Sequence, residues 1–282
     1  YIPWTCNADG QLYERPGGRG LSVMRVARDG STVLFTLPET ENAVDLVAPA
    51  SSGLAMLNWS YSRREGVSYR MYRFDSQAKL LTQHTLHAMP PDFQPGNMAV
   101  TSSGKTIVVG YSPRLGTDDE HRIYRGAVLD GDDKVEKLFE FPATADGKKW
   151  RSAGHRMQGE DGVALEILES GTEPTFAIAT IAESGQISIT PLATTSSPGG
   201  HEWLFGNGAA AELHEPAGQK YPQIDAFDLT SGQKASTKTV RPAGATWACY
   251  LGDELGWLSY TAPGRVRGLS QDTAWLVTVK LE

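Results

Sequence analysis

The feature that most restricts what this chain can fold into is that it repeats. An alternating apolar and polar run, a turn carrying Asp, Ser or Gly, and a second alternating run recur in LSVMRVARDGSTVLFTLPE, YRMYRFDSQAKLLTQHTL, IYRGAVLDGDDKVEKLFEFP, TFAIATIAESGQISITPLA and QIDAFDLTSGQKASTKTV. The turns fall at Gly30, Asp75-Ser76, Gly131, Gly185 and Gly232, about fifty residues apart on average. Period-two alternation around such residues reads as a β-hairpin. Between these lie hairpins of a second kind, in which a short stretch reaches a Gly turn and then an apolar strand: VDLVAPASSGLAMLNWSY, MAVTSSGKTIVVGY, HRMQGEDGVALEIL, EWLFGNGAAAEL, and also WTCNADGQLYE and WACYLGDELGWLSY.

Two hairpins per period give four strands, and such a unit can bury both faces of its sheet only against its neighbours. The expected fold is therefore all-β: a single β-propeller domain over residues 1–282, with six blades of four antiparallel strands. The blade limits are 1–40, 41–90, 91–145, 146–194, 195–243 and 244–282, and the last is short, with three clear strands ending in TAWLVTVKLE. A large β-sandwich also has many short strands, but the regular order of the two turn types favours the ring. Neither a helical period nor a linker interrupts the pattern.

A chain of 282 residues with 40% hydrophobic and 21% charged residues is long enough to bury a large core. A net charge of -7 and a pI of 5.4 argue against nucleic acid as a partner. No apolar run reaches the ~18 residues of a transmembrane segment. The chain begins at Tyr1 without Met or a leader, which reads as a trimmed or processed chain. Cys6 and Cys249 each follow a Trp by two residues. If the two ends meet, they can form a disulfide, and the expected localisation is extracytoplasmic: periplasmic, cell-surface or secreted. The alternative is two buried thiols packed as small apolar groups. The acceptor-like triplet Asn58-Trp59-Ser60 sits in an apolar strand and reads as chance.

The blades, with a turn Gly, an apolar strand, a loop and an apolar strand ending in Phe74-Asp75, Leu129-Asp130 or Phe227-Asp228, resemble those of the TolB-like six-bladed propellers of the PD40 and WD40-like superfamily. The resemblance covers most of the chain as a blade pattern. Where those families show Ser-Pro-Asp-Gly at the first hairpin, this chain has TSSG, GEDG and FGNG.

Gly206, Gly208 and Ala211 satisfy the spacing of a dinucleotide loop, but only seven residues separate Gly208 from Pro216. That is too short for the helix such a site needs. Sliding this blade back by 46 residues sets Gly200-His201 on Gly154-His155 and Gly208 on Gly162, so these glycines are hairpin turns. Counting back from Gly104 sets Gly96-Asn97 at the same place. The innermost strands of a propeller begin at the channel mouth, so Asn97, His155 and His201 are expected to form an arc there.

Neutral imidazoles with an amide oxygen can ligate a divalent metal, or two His can serve as base and electrophile. Arg156, with Arg151 and Lys149, could hold an anionic group, while Trp150 and Trp203 could stack on a sugar face. His121 and His214 are expected on the same side. Resemblance to the TolB-like group implies one further option, since some oligouronate lyases there use channel-mouth histidines and a metal. Against these stands the structural reading, in which His155 and His201 bond to the next blade. Asp118, Asp119 and Glu120 read as a solvated loop rather than a calcium site, and His84 and His87 as surface residues. No G-x-S-x-G, H-E-x-x-H, C-x-x-C or P-loop motif is present. The expected function is a binding or scaffold domain for a protein or carbohydrate partner at the channel mouth. The alternative is a metal-assisted polysaccharide lyase or glycoside hydrolase using His155, His201 and Arg156.

Overall fold

The computed structural model of the chain describes the strands given below, residue 53, and the connecting residues 63–64, 75–79, 86–90, 92–93, 101–105, 130–134, 141–142, 183–186, 192 and 230–233. Side chains are described at 35–36, 41–42, 44–46, 53–64, 66–90, 92–112, 124–142, 177–192, 223–228 and 230–237. Among the described residues every regular element is a β-strand, and the strands form six antiparallel sheets in chain order. Sheet 1 holds β1 (Trp4–Cys6), β2 (Leu12–Glu14), β3 (Ser22–Ala27) and β4 (Gly30–Thr36); sheet 2 holds β5 (Glu41–Val47), β6 (Leu54–Ser62), β7 (Gly66–Phe74) and β8 (Leu80–Thr85). Sheet 3 holds β9 (Gln94–Val100), β10 (Thr106–Ser112), β11 (Ile123–Leu129) and β12 (Val135–Glu140); sheet 4 holds β13 (Trp150–Gly159), β14 (Gly162–Glu169), β15 (Phe176–Ala182) and β16 (Ile187–Pro191). Sheet 5 holds β17 (Glu202–Gly206), β18 (Ala209–His214), β19 (Gln223–Asp228) and β20 (Lys234–Thr239); sheet 6 holds β21 (Ala245–Leu251), β22 (Glu254–Tyr260) and β23 (Ala274–Lys280).

Each sheet is a meander in which consecutive strands pair. The first strands adjoin one another: β5 lies against β1 and β9, β13 against β9 and β17, and β21 against β17 and β1. Sheets that follow one another with their first strands inward make a β-propeller. Because strands alternate in direction, the β5–β6, β7–β8, β9–β10 and β11–β12 connections share one end, the turn face. The β4–β5, β6–β7, β8–β9 and β10–β11 connections share the other, the loop face.

Period-two alternation sends successive side chains to opposite faces of a sheet, and both faces of sheets 2 and 3 are apolar. Ala55, Leu57 and Met71 of sheet 2 pack on Met98, Val100, Val108, Ala127 and Leu129 of sheet 3. The other face of sheet 2 presents Leu46, Met56, Tyr72 and Phe74 to Phe35 of sheet 1. The far face of sheet 3, with Ile107, Val109 and Val128, meets Ala177, Ala179 and Ile181 of sheet 4. Each fully buried Leu or Met contributes about 2 kcal/mol.

The outer turns share one device. Asp75 Oδ1 accepts from Gln77 N and Lys79 N, both at 2.9 Å, and Asp130 Oδ1 accepts from Asp132 N and Lys134 N at 2.9 and 2.8 Å. Asp228 Oδ1 accepts from the backbone N and the hydroxyl of Ser231, both at 2.7 Å. The Phe-Asp and Leu-Asp pairs are thus a buried strand end followed by an Asx turn. The Lys134 amide holds the Asp130 carboxyl below the usual carboxylate range, as the Ser231 hydroxyl does for Asp228.

These three turns, and the outer turn of sheet 4, each pass through one left-handed residue: Ala78 (φ 61), Asp133 (φ 62), Gly232 (φ 69) and, in sheet 4, Gly185 (φ 75). In sheet 3 the expected turn glycine, Gly131, is present, but Asp133 takes the left-handed place, which Asp tolerates better than most residues.

Candidate functional site

The inner strands are not regular. In β5, Ala43 faces Asn58 and Asp45 faces Leu57, so Val44 is extra. In β9, Pro95 faces Gly110 and Asn97 faces Val109, so Gly96 is extra. In β13, Ser152 faces Ile167 and Arg156 faces Leu165, leaving 153–155 opposite Glu166 alone. Thr246 of β21 is extra as well. Such bulges bend a strand and re-aim the residue beside them.

Following the pairing outward shows which residues share a level. Asp45 leads through Leu57 to Met71, Asn97 through Val109 to Gly126, and residues 153–155 through Glu166 to Ile178. Met71, Gly126 and Ile178 each stand three residues before the end residue of their strand's apolar run, Phe74, Leu129 and Ile181. Asp45, Asn97 and the segment 153–155, which ends in His155, thus occupy one repeat position on three consecutive inner strands. In sheet 5, Ile224 pairs with Leu213 and Leu213 with Glu202, so Glu202 stands at this level. His201, which a slide of 46 residues sets on His155, is one residue earlier and outside the described residues.

Asp45 is the member of this polar belt whose carboxylate shows two contacts among the described residues. It is completely buried, its Oδ1 accepts from Leu46 N at 2.9 Å, and its Oδ2 accepts from Met98 N of the adjoining inner strand at 2.7 Å. A buried carboxylate is tolerable only when donors satisfy it, and here the donors are backbone amides of β5 and β9. Asn97 is likewise buried and has an interaction partner. Sequence reasoning missed Asp45 because it stands eight residues before its turn Gly53, whereas Asn97 stands seven before Gly104.

The remaining expected site residues divide by what is described. Trp150, His155 and Arg156 lie on β13, Trp203 on β17 and His214 on β18, with side chains outside the described residues. His121 lies outside them altogether. Cys6 and Cys249 lie on β1 and β21, strands that adjoin, and their side chains are also outside the described residues. Among the described residues no group of three or more His, Cys, Asp and Glu is arranged to hold a metal ion, and no helix is long and apolar enough to cross a membrane.

Other polar clusters emerge that no motif announced. Glu41, at the loop-face end of β5, is 1% exposed and accepts from Asn58 Nδ2 at 3.1 Å, Tyr72 OH at 2.6 Å and an Arg70 Nη. Three donors saturate this carboxylate, which ties β5 to β6 and β7. Burial, and then the Glu41 carboxylate, push the Tyr72 hydroxyl up to about 12. Asn58 has its amide spent inside the protein, so the triplet it begins is not a modification site in the folded chain. On the outer strand, His84 is more than a surface residue: its Nδ1 is 3.0 Å from Asp133 Oδ2.

The loop face of sheet 2 carries a different surface. Trp59 and Tyr61, 37% and 63% exposed, stand two apart on one side of β6. Arg63 and Arg64 follow in the exposed β6–β7 turn, and neither has an ion-pair partner among the described residues.

No known family matches this sequence, and no curated protein matches it. Solved structures do. A gluconolactonase from Xanthomonas campestris superposes at a TM-score of 0.54 with 16% identity, over 90% of this chain and 81% of the other. The β-propeller domain of the Trilobed protease from Pyrococcus furiosus superposes at 0.54 with 9% identity, over 98% and 77%. An oligogalacturonate lyase in complex with manganese superposes at 0.51 with 13% identity, over 96% and 74%. The chain shares the β-propeller fold with enzymes and non-enzymes alike, and at these identities the likeness is one of fold.

Proposed function

We propose that this chain is a binding or scaffold domain that holds a protein or carbohydrate partner on its loop face, around the starts of the inner strands. One observation carries this reading. At the repeat position shared by Asp45, Asn97 and the segment 153–155, the Asp45 carboxylate accepts from backbone amides of its own and the neighbouring inner strand. A carboxylate used that way fastens one inner strand to the next. Trp59 and Tyr61, with Arg63 and Arg64 beside them, supply the exposed aromatic and cationic groups that recognition surfaces favour.

The second reading is a metal-assisted polysaccharide lyase or glycoside hydrolase, with His155 and His201 as metal ligands or proton carriers and Arg156 holding an anion. It is favoured by the bulge in β13, which has two extra residues where β5 and β9 have one. Elemental analysis of purified protein and of the His155→Ala, His201→Ala double variant separates the two. The scaffold reading expects no stoichiometric transition metal and a variant altered only in stability. About one metal per chain, lost in a folded variant, would establish the enzyme reading instead.

The same reading includes an extracytoplasmic location. It is supported by the adjacency of β1 and β21, which carry Cys6 and Cys249. A disulfide there would join the first and last inner strands. Thiol titration in denaturant without reductant is expected to find no free thiol; two thiols would remove this support.

A further inference from the structure

The belt and the loop-face aromatics leave one described feature unused. Between the β8–β9 connection and the outer half of sheet 3 lies a cleft of about 240 Å³. Its apolar lining comes from Met89, Pro90 and Phe93 on one side and Leu138 and Phe139 on the other. Phe93 is fully buried and Phe139 nearly so, while Leu138 stands at the rim, 51% exposed. Gly126 lets the Phe139 ring lie flat on β11, since a Cβ there would come within 2.3 Å of Phe139 Cζ. The volume exceeds the ~150 Å³ apolar cavity that admits benzene.

One charged group in the lining is incompletely used. Arg125 Nη2 pairs with Glu140 Oε1 at 3.1 Å, and Arg125 Nε is buried without a hydrogen-bond partner. A buried donor left without an acceptor is rare enough to require an explanation. Glu140 is a poor competitor for the guanidinium, being 60% exposed, and such a pair is largely repaid by water. A guanidinium turned so that Nε and a terminal nitrogen face the cleft matches both oxygens of a carboxylate.

We propose that this cleft binds a small monocarboxylate with an aromatic or branched apolar body. The carboxylate takes the Arg125 Nη2 donor in place of Glu140 and, as the guanidinium turns toward the cleft, Nε as well, while the body lies on Met89, Phe93 and Phe139. This site is separate from the channel mouth and stands whether or not the histidines there bind anything.

Phenylacetate is a suitable probe, with 2-phenylethanol as its neutral counterpart, both followed by protein-observed NMR on the full chain. The expected result is saturable binding of phenylacetate at or below ~10 mM, at least about tenfold weaker for the alcohol. Arg125→Gln is expected to weaken phenylacetate about tenfold, and Glu140→Gln to tighten it about threefold, because the competing carboxylate is gone. No saturable shift, equal binding of acid and alcohol, or unchanged affinity in a folded Arg125→Gln protein would overturn the proposal. Should Arg125→Gln not fold, the wild-type comparison of acid with alcohol and the Glu140→Gln response decide it.

Discussion

Where sheet 3 meets sheet 2, the left-handed residue of its outer turn is Asp133, wholly buried, with its carboxylate facing Arg73 Nε at 3.1 and 3.2 Å, Arg73 Nη2 at 2.5 Å and His84 Nδ1 at 3.0 Å. Where sheet 4 meets sheet 3, the same turn position is Gly185, whose Cα faces the stem of Lys137, while Lys137 Nζ donates to Ser184 O. Where sheet 5 meets sheet 4, it is Gly232, set against Pro191 O. In all three the turn of one sheet abuts the outer strand of the sheet before it. The geometry is common, and the residue chosen decides how firmly the seam is fastened. A buried carboxylate between a guanidinium and an imidazole is costly to break, whereas an exposed lysine on a carbonyl is not. Near the axis Asp45 follows the same logic, joining β5 to the Met98 amide of β9.

The comparison can be broken most directly at Asp133. Asp133→Ala strands Arg73, whose side chain is 18% exposed, and is expected to cost about 3 kcal/mol in urea unfolding. A loss below ~1 kcal/mol would remove the buried Asp133 pair as a stronger fastener than the other seams have. Next comes Asp45→Ala, which removes the carboxylate acceptor from the Leu46 and Met98 amides and is expected to cost about 2 kcal/mol, with hydrogen exchange at Met98 accelerated. Unchanged exchange would remove Asp45 as a fastener. Third, Gly232→Ala is expected to cost more than Gly185→Ala, by about 1–2 kcal/mol. A Cβ at 232 would meet Pro191 O at 2.0 Å, while one at 185 meets only the movable Lys137 Cδ at 3.0 Å. Equal melting temperatures would contradict this. The last effect is alkaline. The Tyr72 hydroxyl is raised from 10.0 to about 12 in the fold, so its protonated form is favoured there. The stabilisation is complete below pH 10 and is lost as pH rises toward about 12. Urea midpoints measured at about pH 9 and 11.5 should fall more in the wild type than in Tyr72→Phe.

Much of the architecture could be read from residue types. Asp75, Asp130 and Asp228 cap turns, and the Phe74, Leu129 and Phe227 that precede them are buried strand ends, because a short acceptor after an apolar run has few other uses. Gly185 and Gly232 stand where the backbone must turn left-handed. Asp133 escaped notice, since in the sequence it is one more acid beside Gly131. Asp45 escaped because a turn one residue longer shifts its spacing. The cleft at Arg125 had no signal, being assembled from a connection and two strands whose residues are unremarkable one by one.

By itself the sequence determined the strand period, the turn chemistry and the repetition of the four-stranded unit, all of which depend on neighbours within a few residues. Which side chains meet across seams depended on register, bulges and the approach of separate sheets. Only the tertiary structure could therefore bring Asp133 to Arg73 and His84, Asp45 to the Met98 amide, and Arg125 to an apolar cleft, for these contacts join segments tens of residues apart.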